Sequence, residues 1–252
     1  DFNLIADLEE LEPKYVFFGG EKVAQEGRMV KEIEERTYEE ETINTMNVRE
    51  LAPEDFTLKC PVENGTVTVN VIEYPSLNSN YTVPAKVEME VRNGRLVLAE
   101  NCMFAAVVNR FGLDHIALGV VRNFGIAHGA LSSTVSHDSH NLTLVYDTPE
   151  NAAAAANVLR ECGGGMAAVE DGKVIELLEL PVCGLLTRLS PEETAKAAER
   201  MKAADRKLGL TETLNPLLRI AILALPVVPE IKMSDTGIID VNNKAYVSLF
   251  DQ

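Results

Sequence analysis

Residues 136–141 read Ser-His-Asp-Ser-His-Asn. Two imidazoles, a carboxylate, two hydroxyls and a carboxamide fall within six consecutive positions. An imidazole can ligate a metal or carry a proton near neutral pH, and a neighbouring carboxylate can fix its tautomer through a hydrogen bond. His137, Asp138 and His140 are therefore the candidate catalytic residues, in supporting roles. Ser136, Asn141 and Arg110 are the candidates for contacting a substrate.

Three chemistries compete for this loop. A catalytic zinc site takes three protein ligands and a closed one takes four. Two histidines and one carboxylate could form a facial triad, but H-D-x-H packs them unusually close in sequence. The H-x-E…P-C-x-x-C signature of zinc base deaminases is absent, and so is an H-x-H pair. No metal ligand is assigned in this chain. A serine nucleophile lacks its G-x-S-x-G elbow, and a triad built within five residues is sterically awkward. The remaining reading is a hydrogen-bonded polar turn, with Asp138 and Asn141 accepting backbone N–H groups while Ser and His satisfy carbonyls. Residue types alone leave turn and proton-handling loop both open. His115, in "LDHIALGV", reads as a packed strand residue, and His128, beside Gly129, as a turn residue. "CGGGM" at 162–166 follows a helix instead of opening one, so it caps a C-terminus and does not cradle a phosphate.

These side chains need a frame. From about 56 to 126, β-prone runs dominate, among them "FTLKC", "GTVTVNVIEY" and "HIALGVVRNFG". "GTVTVNVIEY" alternates, which predicts one buried and one wet face. "RNGR" at 92–95 predicts a two-residue hairpin, because Asn-Gly accepts the positive φ angles of a type I′ turn. After 130 the pattern changes. "LTLVYD" predicts a short strand, and strand–loop–strand places the 137–141 loop at the edge of a sheet. A helix follows, capped by Thr148, started by Pro149 and closed by glycines. A hairpin then turns on Asp171-Gly172. Ser190, Pro191 and Glu193 form a capping box for an amphipathic helix ended by Gly209. The tail predicts a buried segment, a Pro-marked break and two short strands. The sum is an α+β fold, a mixed and mostly antiparallel sheet covered by a few helices.

Three segments emerge. Residues 1–30 form a small β-strand appendage, 31–52 a charged linker or short helix with Thr42 or Asn44 as possible caps, and 53–252 the main domain. The chain opens at Asp1 in what reads as mid-strand, with no signal segment ahead of it, which predicts a piece of a longer polypeptide.

Of 252 residues, 46% are hydrophobic and 25% charged, so a sizeable core is expected. The formal charge of −16 argues against a nucleic-acid partner and against an anionic membrane surface. No apolar run reaches the roughly 18–20 residues needed to span a bilayer. The four cysteines, Cys60, Cys102, Cys162 and Cys183, form no C-x-x-C pair and predict free thiols in a reducing cytoplasm.

The segment "GALSSTVSHDSHNL" closely resembles the G-A-[IL]-[AS]-[ST]-[ST]-V-[AS]-H-D-S-H-N stretch of bacterial-type adenine deaminases, in the amidohydrolase superfamily. "GGGMAAVEDGKVIELLELPVCGLLT" and "LALPVVPEIKMSDTGIIDV" are similar to further stretches of that family in the same order, so the resemblance runs from about 100 to 245. It implies the C-terminal portion of an enzyme converting adenine to hypoxanthine and ammonia. The divalent metal (manganese, iron or zinc) would sit in a barrel whose ligands match no position here. It also implies that residues 1–30 close an amidohydrolase β-sandwich, that adenine and the barrel are partners, and that the protein is a cytoplasmic homo-oligomer. Many relatives carry Glu-Arg-His where this chain has Asn109-Arg110-Phe111. Under the resemblance, His137 and His140 touch substrate or shuttle protons, Asp138 fixes a tautomer and Asn141 reads a purine edge. The rival expectation is a non-catalytic oligomerisation or structural domain, with "ILALPVVPEI" as interface or core.

Overall fold

Apolar runs broken by glycine turns make the first hairpins. The computed structural model describes residues 1–34, 39, 43–211 and 215–251. The chain divides into two compact units, Asp1–Glu39 and Glu40–Gln252. The first is a meander of β1 (Phe2–Ile5), β2 (Pro13–Phe18), β3 (Glu21–Gln25) and β4 (Arg28–Met29), antiparallel and in sequence order. Gly19 and Gly20, both at positive φ, turn β2 into β3. Phe2 stacks on Phe17 with ring centroids 4.6 Å apart. None of its described residues is buried.

Much of the charged segment, residues 35–38 and 40–42 with the predicted cap Thr42, lies outside the described residues. Asn44 accepts the N–H of Met46 through its side chain at 2.9 Å. "FTLKC" is not the strand the sequence suggests. Pro53–Phe56 winds into a 3₁₀ turn, stabilised by Asp55 accepting the N–H of Ala52, and Phe56 drops into the core.

The second unit is built on a nine-stranded sheet. Its strands are β5 (Gly65–Glu73), β6 (Val83–Arg92), β7 (Arg95–Leu96), β8 (Cys102–Val108), β9 (Ile116–Arg122), β10 (Ala130–Ser133), β11 (Leu142–Tyr146), β12 (Gly165–Glu170) and β13 (Lys173–Glu179). Their order is β13-β12-β10-β11-β8-β9-β5-β6-β7, with only β5 and β9 parallel. The predicted turns are present: Asn93 and Gly94, then Asp171 and Gly172, all adopt positive φ.

The central strands are apolar on both sides, and the reason is layering. Ala105 and Val107 of β8, Val145 of β11 and Ala168 of β12 enter one core. Their alternates Ala106, Val108, Leu144 and Val169 enter another. That second core is closed by α1 (Pro149–Cys162), whose alanine-rich face lets it lie close to the sheet. Thr148 caps it, accepting the N–H of Asn151, and Gly163 ends it in the left-handed region. The first core is closed by α2 (Pro191–Lys207), by α3 (Pro216–Leu223) and by a small antiparallel sheet. That sheet comprises β14 (Ile231–Ser234), β15 (Gly237–Asp240) and β16 (Ala245–Val247), three strands where the tail predicts two. The predicted capping box of Ser190 and Glu193 starts α2. The fold class is α+β as read from the sequence, and among the described residues the sheets do not close into a barrel. No helix among them is long and apolar enough to cross a membrane.

Candidate functional site

The 134–141 loop joins β10 to β11. Both are central strands, each flanked by a neighbour, so the loop stands at the end of the sheet's middle and not at a lateral edge. Pairing of Ser133 with Thr143 fixes its two feet. Within it, the His140 N–H donates to the Ser136 carbonyl at 2.7 Å, and the Ser136 N–H donates to His140 Nδ1 at 3.3 Å. The buried Ser136 hydroxyl lies 2.7 Å from the Thr143 hydroxyl. Thr134 holds the other side, its Oγ1 donating to the Gly184 carbonyl at 2.6 Å and accepting the Gly165 N–H at 2.8 Å. Gly164 and Gly165 of the predicted C-cap make this approach possible. A Cβ on Gly165 would stand 2.1 Å from the Leu178 carbonyl.

Arg110 lies under the loop, only 1% exposed. Its Nε donates to the His140 carbonyl, Nη1 to the Thr45 hydroxyl and Nη2 to the Cys183 carbonyl at 3.0 Å. Its own N–H reaches Asn141 Oδ1 at 3.4 Å. Burial pulls its pKa down to about 10, still charged at neutral pH. A fixed fork of donors suits this junction, since three backbone or hydroxyl oxygens converge from three segments.

The predicted residues therefore separate into two levels. Ser136, Asn141 and Arg110 form the buried base of the loop, and His137, Asp138 and Ser139 are presented outward. His140 is half-buried between them. Its ring meets that of His137 edge-to-face, centroids 5.0 Å apart. Burial first, then the nearby His137 and Arg110, lower the His140 pKa, with Asp138 opposing. The net effect favours the neutral ring. Since Nδ1 accepts a hydrogen bond, the proton resides on Nε2, which becomes a donor.

His115 corrects its prediction. It precedes β9 and is exposed, because the strand begins only after the loop has crossed the sheet's end. Its Nδ1 lies 3.4 Å from Asp235 Oδ2, which also accepts from Asn109 Nδ2 at 2.8 Å. His128 sits in a bend ahead of β10, with Nε2 2.9 Å from Glu170 Oε1. Among the described residues, no group of three or more His, Cys, Asp or Glu side chains is arranged to hold a metal ion. None of the four cysteines forms a disulfide among the described residues.

The sequence reading missed three buried charges. Arg219 on α3 donates to the carbonyls of Phe124, Asn123 and Ser79 and covers the Tyr74 ring at 3.8 Å. Lys232 donates to the Thr82 hydroxyl at 2.7 Å, and burial drops its pKa to about 8. Asp205 on α2 is pushed up to about 7 by burial. Arg219 stands alone in the apolar stretch "PLLRIAIL", and that isolation is the signal that could have exposed it, whereas Asp205 and Lys232 lie among other charged or polar residues. His137 also borders a cleft of about 440 Å³ between the 78–80 turn and α3.

Comparison with known proteins adds to this geometry. The family described as "Adenine deaminase C-terminal domain" matches residues 79–245. A protein named adenine deaminase from Clostridium botulinum (strain ATCC 19397 / Type A) is 33% identical over 99% of this chain and 42% of its own length. One of the same name from Moorella thermoacetica is 35% identical over 95% of the chain and 41% of its own length. "Adenine deaminase 2" of Carboxydothermus hydrogenoformans is 33% identical over 98% and 43%. The chain thus spans less than half the length of these relatives.

Proposed function

The chain belongs to the adenine deaminase C-terminal domain family, and from that premise we propose that it is the C-terminal part of an enzyme converting adenine to hypoxanthine and ammonia. The observation that carries this reading is coverage. Relatives named adenine deaminase match nearly the whole chain while extending well beyond it. The remaining length would supply an amidohydrolase barrel and its divalent metal (manganese, iron or zinc). Residues 1–30 would close that enzyme's β-sandwich, 31–52 would link, and 53–252 would form the C-terminal domain. A cytoplasmic homo-oligomer completes the reading.

In this proposal the barrel, and not this chain, holds the metal. What the chain offers is a rigid polar loop. Deamination must move a proton to the departing amine and hydrogen-bond the purine edge while bulk water is kept away. The half-buried His140 ring and the exposed His137 ring place two imidazoles at the loop's surface for such an edge. Asp138 opposes the lowering of the His140 pKa, while Ser136, Asn141 and Arg110 hold the loop's shape.

In the barrel-containing enzyme, His137→Ala or His140→Ala should lower kcat by about tenfold or more, roughly 1.4 kcal/mol of barrier. Normal turnover with a lowered Tm would make the loop architectural and the domain a structural module.

A further inference from the structure

The α3 helix, "PLLRIAIL", is apolar nearly all round, and most of it packs on the core while Leu218 stays exposed. Ile220, Leu223 and Ala224 are buried there, Leu217 and Ile222 pack against the same core, and Ala221 is buried as well. Leu218, Ala221 and Ile222, continued by Leu225, form a stripe at helical spacing that walls the cleft beside His137. Leu218 is 49% exposed. Asn78 and Asn80 also line the cleft, with Asn215 at the helix start. No hydrogen-bond partner among the described residues meets these three carboxamides or the His137 ring nitrogens.

The turn carrying the two asparagines is held in place. Arg219 Nη1 donates to the Ser79 carbonyl, the residue between them, and Ser79 N–H donates to the Ser76 carbonyl at 3.0 Å. This also removes Arg219 as an anion anchor. Each guanidinium nitrogen is committed to a backbone carbonyl, and the group lies against Tyr74. The cleft therefore offers an apolar wall, amide edges carrying donor and acceptor side by side, one imidazole and no free permanent charge. A volume of about 440 Å³ is in the range of small-molecule sites.

We propose that this cleft binds a neutral planar heterocycle of the nucleobase class, its ring against the Leu218–Ile222 stripe and its polar edge read by Asn78 and Asn80, with His137 at the mouth. A carboxamide matches paired ring-nitrogen and exocyclic-amine groups bidentately. The site lies wholly in this chain and needs no metal. The choice of adenine as probe rests on the function proposed above; the cleft's chemistry does not.

The test is isothermal titration calorimetry of the 252-residue chain with adenine, and with adenosine 5′-monophosphate as the charged comparison. Adenine should bind saturably at one site, and the nucleotide at least tenfold more weakly. The exposed-position variants N78A/N80A and L218E should each weaken adenine about tenfold or more without changing the thermal melt. The His137 ring resonances should shift on titration. Absence of binding at millimolar adenine overturns the site, as does affinity unchanged in both variants. A nucleotide that binds as well as adenine overturns the neutral-ligand assignment. None of these outcomes alters the turnover result in the barrel-containing enzyme, so the two ideas fail separately.

Discussion

Arg110 decides how firmly the histidine loop is held. Its three guanidinium bonds reach His140, Thr45 and Cys183, drawing three separate segments to one point. Lysine keeps the charge but offers a single ammonium head in place of a planar fork, leaving buried oxygens unsatisfied. Arg110→Lys should therefore cost about 2–3 kcal/mol in urea unfolding. It should also loosen the His140 ring, seen as broadened His137 and His140 resonances. Unchanged stability would mean that water replaces the guanidinium without penalty. Asp205 makes a prediction of opposite character. Its carboxyl, 3% exposed, has a folded pKa raised from 3.8 to about 7. The folded state therefore holds a proton between those values that the unfolded chain has released. Stability from this group is full below about 4 and is lost as pH rises through about 7. Asp205→Asn should match the parent protein near pH 4 and exceed it at pH 8 by on the order of 2–4 kcal/mol. Equal melting curves for the two proteins at both pH values would refute the raised pKa.

Helix caps and hairpin turns were legible in the sequence because their causes are local. Thr148, Ser190 with Glu193, Asn93-Gly94 and Asp171-Gly172 each act through neighbours within four residues. The layering was not legible. β8, β11 and β12 read as plain apolar runs because both their faces are covered, so alternation cannot say which side meets α1 and which meets α2. Arg110 was singled out but its bracing role was not, and the settings of His115 and Thr134 stayed hidden too, because their partners lie 30 or more residues away. The 136–141 loop was found by its residue types, whereas its split into a buried base and a presented rim needed the fold. Two glycines separate local from tertiary demand. A methyl on Gly165 would collide with the Leu178 carbonyl at 2.1 Å, while one on Gly172 meets open space. Gly172→Ala should cost about 1 kcal/mol, from its positive φ alone. Gly165→Ala should cost on the order of 3 kcal/mol or more by prising β12 from β13. Similar losses for both would mean that φ, not the close approach, governs Gly165.

At the scale of the whole chain, the two units differ in what can sustain them. Glu40–Gln252 encloses cores on both faces of its sheet. Asp1–Glu39 is a four-stranded meander without a buried residue among those described, and Phe2, Leu4, Phe18 and Met29 are each about half exposed or more. Four strands that cover no apolar face gain too little from burial to offset the entropy of ordering them. Such strands are stable when a further layer packs against them, as the proposed β-sandwich would provide. Removing residues 1–39 should therefore leave the cooperative unfolding of the remainder intact, with Tm changed by no more than ~2 °C. The same deletion should reduce binding of an apolar dye such as ANS, since a large exposed apolar surface leaves with the strands. A chain lacking 1–39 that lost its cooperative transition would show the meander to be part of the main domain's stability, and the division into two independent units would be wrong.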